Sequence, residues 1–163
     1  MNLIDIYHST GVLIKPLTIV EVLSTNKESQ KYGLALTAAE AHELIESRNQ
    51  AVRNHGRVEL GIEVVKQIIS AFYSSSYINR EDYALTINEL VEIFYYMKNE
   101  TEESIGDDEL ISIMQEFYNT SCRGSLELLR DRELAILADS IRRARQEADY
   151  SLERKHDNEK YGY

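Results

Sequence analysis

"REDYALTINELVEIFYYMKNE", residues 80–100, decides the fold class. Its apolar side chains Tyr83, Ile87, Leu90, Phe94 and Met97 recur at steps of four, three, four and three. That is the repeat of one helix face, and a strand would alternate instead. Thr86 and Glu89 have the spacing of a capping box, in which hydroxyl and carboxylate each satisfy an orphan N–H of the first turn. The helix could begin at Asn79 or at Thr86; the box favours Thr86, with residues 80–84 forming a separate turn before it.

The same pattern repeats outward along the chain. Thr37 with Glu40 reads as a second capping box, followed by Ala41, Leu44, Ile45 and Val52 at helical spacing up to Gly56. "TAAEAHEL" (37–44) and "TINELVEI" (86–93) thus share T-x-x-E-x-x-E, which is helix-start chemistry used twice and not a structural repeat. Ile62, Val65, Ile69 and Phe72 mark a further helix ending in "SSS". Asp107 is expected to cap one carrying Leu110, Met114 and Phe117. After "SCRGS" come a short turn (Leu126, Leu129) and a long helix through Leu134, Leu137 and Ile141. "GVLIKPLTIVEVL" (11–23) is β-branched but broken by Pro16, which leaves a short strand before the proline and a helix from about Leu17 both open; the helix is favoured. The expected fold is all-α, a compact bundle of about six helices. Residues 1–150 form a single helical domain and 151–163 a polar C-terminal tail.

Bulk composition narrows the function classes. A chain of 163 residues buries roughly 70% of its unfolded surface as one domain, enough for a core without metals or disulfides. A net charge of -10 opposes binding to nucleic acid or anionic membranes, so neither is an expected partner. Residues 61–120 hold three basic and twelve acidic side chains, against nine of each in 121–163. The single cysteine, Cys122, fits a reducing cytoplasm. No run approaches 18 apolar residues, and "MNLIDIYHSTG" lacks the basic region of a signal peptide.

Few residues suggest chemistry. "ESRNQAVRNHGRVELG" (46–61) gathers Arg48, Arg53 and Arg57 around His55. Arg53 suits the negative end of its helix dipole, and Gly56 suits the left-handed residue that follows a helix. Arg48 is read as covering Leu44 with its stem, its guanidinium in water. Arg57, with Arg53 second, is the anion-contact candidate. Cys122 precedes a helix start at Ser125 with Arg123 beside it, a setting that favours thiolate, while a packed free cysteine is inert. "HELIE" (42–46) has Glu46 where a zinc protease needs its second histidine, and "ERKH" (153–156) lies in the polar tail. His8 and His55 have no partner in the sequence pattern. No metal site and no cofactor signature is expected.

The runs "YGLALTAAEAHELIESRNQAVRNHGRVELG" (32–61), "REDYALTINELVEIFYYMKNETEESIGDDELISIM" (80–114) and "CRGSLELL" (122–129) resemble a family of small uncharacterised proteins from clostridial-type and related Gram-positive bacteria. The likeness extends to about residue 143. It implies a bacterial cytoplasmic protein and carries no activity, cofactor or catalytic residue with it.

Two function classes follow. The first is a non-enzymatic protein-interaction module, binding a protein partner or itself, with Tyr96 as the surface candidate: it aligns with Glu89 and Glu92 on the wet face of its helix, although packing under a neighbouring helix is the plainer reading of a single outward aromatic. The alternative is a cysteine-dependent or small-molecule-binding enzyme centred on Cys122 and Arg123.

Overall fold

The computed structural model describes residues 15–161. Both His8 and the strand considered before Pro16 lie outside them. Among the described residues there is no strand, and six helices of at least two turns form the fold: α1 (Pro16–Leu23), α2 (Ala38–Asn54), α3 (Glu63–Phe72), α4 (Tyr83–Glu100), α5 (Asp107–Asn119) and α6 (Leu134–Tyr161). The all-α reading holds. Helix α1 begins where proline is pre-organised for a first turn and lacks only an N–H that would be orphaned anyway.

Helix α4 is central. It packs against α2, α3 and α6, while α1 lies on α2 and α5 on α3. Tyr83, Ile87, Leu90, Phe94 and Met97 are all buried, as the stripe required. Ile87, Leu90, Phe94 and Met97 each contribute about 1.5–3 kcal/mol when removed from water. The start of α4 differs from expectation: the helix begins at Tyr83 after Asp82, so Thr86 is inside its first turn and caps nothing. Burying the Tyr83 ring (2% exposed) draws the helix back past the apparent box. Of the two expected boxes, Thr37–Glu40 alone makes both bonds, at 3.1 and 2.9 Å. Similarly, Gly106 precedes α5, and Asp107 is its first helical residue, with its carboxylate turned to other partners.

The α5–α6 connection is tight. Phe72 and Tyr77 both meet Tyr118 edge-on, with ring centroids 5.4 and 6.4 Å apart. Gly124, at φ +80°, lies so close to Tyr77 that a Cβ there would stand 2.5 Å from the tyrosine Cβ. A single turn (Leu126–Leu128) then runs through a π-helical stretch, Leu129–Glu133, into α6.

Helix α6 leaves the core part-way along. Leu134 and Ala138 are buried, Leu137 and Ile141 half-buried, and residues 142–160 all exposed. Arg142 pairs with Glu100 at 2.7 Å and Arg145 with Glu102 at 2.8 Å. Residues 151–160 therefore add helix but no core, and deleting 151–163 is expected to leave the thermal midpoint unchanged. A loss of several degrees in a melting curve would show that the segment docks.

Candidate functional site

The site begins with how α2 ends. Gly56 adopts φ +64°, its N–H reaches the Arg53 carbonyl at 3.3 Å, and the Arg57 N–H reaches the Val52 carbonyl at 3.0 Å. These are the paired bonds of a Schellman motif, and the left-handed residue they need is most favourable as glycine. The chain turns back as an irregular segment, residues 57–60, in which alternate side chains go opposite ways. Arg57 and Glu59 side chains are 13% and 9% exposed. Val58 and Leu60 are 91% and 93% exposed.

Inward, the segment enters an ion-pair network. Glu59 accepts from Arg48 Nε at 3.2 Å, from Arg57 Nε at 2.9 Å and from the Tyr95 hydroxyl at 2.6 Å. Arg57 continues to Glu103 at 2.6 Å and to Asp107 at 2.6 Å. Lys98, itself buried, pairs with Glu103 at 3.1 Å and Asp107 at 2.9 Å and donates to the Ile105 carbonyl. Glu103 reaches this position because Glu102 and Glu103 both adopt left-handed backbone, φ 50° and 59°, just past α4. Three cations thus meet three carboxylates.

Burial works against the Arg57 charge, but Asp107, Glu103 and Glu59 outweigh it and hold the guanidinium above its ordinary value. Burial also opposes the Asp107 charge, yet bonds from Lys98 and Arg57 hold that carboxyl below its usual range. Burial and then the Glu59 carboxylate push the Tyr95 phenol far up, so it stays protonated and serves as a donor.

The expected residues fall into different places. Arg57 is in the network, surrounded by protein carboxylates and lying 5.9 Å from the Phe94 ring centre and 5.7 Å from that of Tyr95. Arg53 stays exposed in the last turn of α2. Arg48 corrects the sequence reading: its guanidinium is buried, bonded to Asn49, Glu59 and the Gly61 carbonyl, because the chain folds back across it.

Cys122 is buried, and burial raises its thiol, with Ser121 and Arg132 opposing weakly. Ser125 caps only the one-turn helix, and Arg123 is exposed at φ 47°. The guanidinium acting on the thiol is that of Arg132, which also holds the Ser121 carbonyl at 3.0 Å. His42 is buried with Nδ1 3.9 Å from Glu46.

Tyr96, 46% exposed, stands in a groove between α4 and the start of α6. Two adjoining hollows of 440 and 180 Å³ share Tyr96 and Arg130 in their walls. Arg130 belongs to the π-helical stretch, a geometry that recurs at functional positions. Val58, Leu60, Glu59, Lys98 and Arg130 carried no periodic or motif signal in the sequence.

The model of a family of unknown function (DUF6323) matches residues 21–147. The chain belongs to this family. The family match takes in the network, Cys122 and the groove, and it ends within α6 soon after Arg145, the last residue tied to the α4 end of the core. No curated protein and no solved structure matches the chain.

Two measurements check this chemistry. Because the folded Asp107 carboxyl is held low, its contribution is complete above the unfolded value near about pH 4 and is lost as pH falls through the folded value. Urea midpoints of the natural protein should accordingly fall more steeply with acidification below about pH 4 than those of Asp107→Asn; parallel curves would remove Asp107 as a source of acid sensitivity. For Cys122, iodoacetamide should react slowly at neutral pH until denaturant is added, since the buried thiol resists ionisation. Native modification faster than a free thiol would make the cysteine-centred enzyme the leading reading.

Proposed function

We propose that this protein is a non-enzymatic protein-binding module of the bacterial cytoplasm, and that residues 57–60 are its recognition element. One observation carries this reading: among the described residues Val58 and Leu60 are the most exposed of the large hydrophobics, on a segment whose alternate residues are locked inward by ion pairs. Left to itself, a loop with two aliphatic side chains gains about 1.5–3 kcal/mol for each one it folds onto the core. Here Arg48, Arg57 and Tyr95 hold Glu59, and Glu59 holds the backbone so that neither can turn in.

Such preorganisation is what a binding element needs. A side chain already ordered before the encounter loses little entropy on contact, and apolar anchors entering a partner's pocket supply most of the energy of small interfaces. The partner is a protein, or a second copy of this chain, with an apolar recess for two aliphatic groups. Nucleic acid and anionic membrane are poor matches for a surface carrying a net charge of -10. No helix among the described residues is long and apolar enough to cross a membrane. Cytoplasmic placement rests on the lone, reduced cysteine, and the bacterial source on the family resemblance.

A photocrosslinking residue tests the reading. Benzoylphenylalanine introduced at position 60 should yield a discrete protein adduct in cells, whereas the same residue at exposed position 50 should not. No adduct at position 60, or the same adducts from both positions, would overturn the proposal.

A further inference from the structure

Beyond residues 57–60, we propose that the groove between α4 and α6 is a second docking site, built for a basic amphipathic helix of a partner protein. Its length comes from α4: Glu89, Glu92, Tyr96 and Glu100 follow one another along its outer side, spanning about 16 Å at 1.5 Å per residue. That is about three turns of a docked helix. The floor is apolar, because Ile93, Met97 and Ala138 close the core beneath it and are at most 3% exposed. Ala135 and Ala138 keep the α6 wall low, and Tyr96 stands up from the floor as a half-exposed ring. A ring with an apolar face and a polar tip is a common anchor in such grooves.

Charge selects the occupant. Five carboxylates (Glu89, Glu92, Glu100, Asp131, Asp139) line the hollows against two guanidiniums. Both guanidiniums are already engaged: Arg130 with Asp131 at 2.8 Å, and Arg142 with Glu100 at 2.7 Å and Asp139 at 2.5 Å. Glu89 and Glu92 are exposed and form no salt bridge among the described residues, Glu89 feeling only the nearby charge of Arg130. A helix presenting Leu-like side chains to Tyr96 and Met97, with lysine or arginine beside them, would cover the apolar floor and neutralise both carboxylates. An acidic or uncharged helix would cover the floor and leave that repulsion or desolvation unanswered. The π-helical stretch matters because it sets where Arg130 and Asp131 enter the wall, between the two hollows and beside Tyr96.

The probe is a fluorescein-labelled peptide of about 16 residues, with leucines on one helical face and lysines on the rest. Anisotropy titration should give saturable one-to-one binding that weakens with salt, and none with a glutamate version of the peptide. Glu89→Lys with Glu92→Lys, and separately Tyr96→Ala, should each weaken binding by about tenfold or more. The same charge change placed elsewhere, Glu43→Lys with Glu109→Lys, should have little effect. All the altered side chains are exposed, and circular dichroism verifies the fold of each variant. Equal losses from the two lysine pairs would mean that only bulk charge attracts the peptide. That result, or full binding by the groove variants, or no saturable binding, would overturn the proposal.

Discussion

The Glu59 carboxylate is the point on which the rest of this structure depends. One group accepts from Arg48 on α2, from Arg57 beside it and from Tyr95 on α4, while its side chain is 9% exposed. Through Arg57 the link continues to Glu103 after α4 and Asp107 at the start of α5. Taking charges out of water carries a desolvation penalty of several kcal/mol per ion, which attraction offsets only where geometry is good and the remaining donors and acceptors are satisfied. Here they are, so what the network contributes is chiefly a unique arrangement. Apolar packing alone would tolerate several positions for the turn after α2; these bonds allow one.

That arrangement explains why the fold was legible in the sequence and the site much less so. Helices announce themselves locally: the Tyr83-to-Met97 stripe, the Thr37–Glu40 box and Gly56 after α2 all act within a few residues and all appear in the structure. The errors arise where a distant partner decides. Arg48 looked solvent-facing because no carboxylate stands one helical turn away, but its partner Glu59 is eleven residues on, across a reversal of the chain. The Thr86–Glu89 spacing is a good local signal for a later start of α4, and burial of Tyr83 overrides it. Arg123 adjoins Cys122 in sequence, yet Arg132 is the arginine that acts on the thiol. The groove combines residue 96 with residues 130 and 142, and no local pattern marks such a meeting.

Both proposed binding surfaces depend on α4 in different ways. The inward faces of Tyr95 and Lys98 anchor the network that sets residues 57–60, while Glu89, Glu92 and Tyr96 on the outward face form a wall of the groove. Their separation follows from the helical repeat: side chains one residue apart point about 100° from each other, so neighbours such as Tyr95 and Tyr96 serve different neighbourhoods.

The bonds that position Val58 and Leu60 join residues far apart in the chain, with Arg57 separated by 46 positions from Glu103 and by 50 from Asp107. Contacts of that span form only after intervening segments have collapsed, because closing a long loop loses entropy before any bond repays it. The display of these two side chains consequently requires α2, α4 and α5 to be in place together. A molecule whose α2, α4 or α5 is out of place does not present them in this geometry, whatever its remaining helix content. Recognition through that turn would therefore also report on the integrity of the molecule, since a partner fitted to it would pass over damaged or half-made copies.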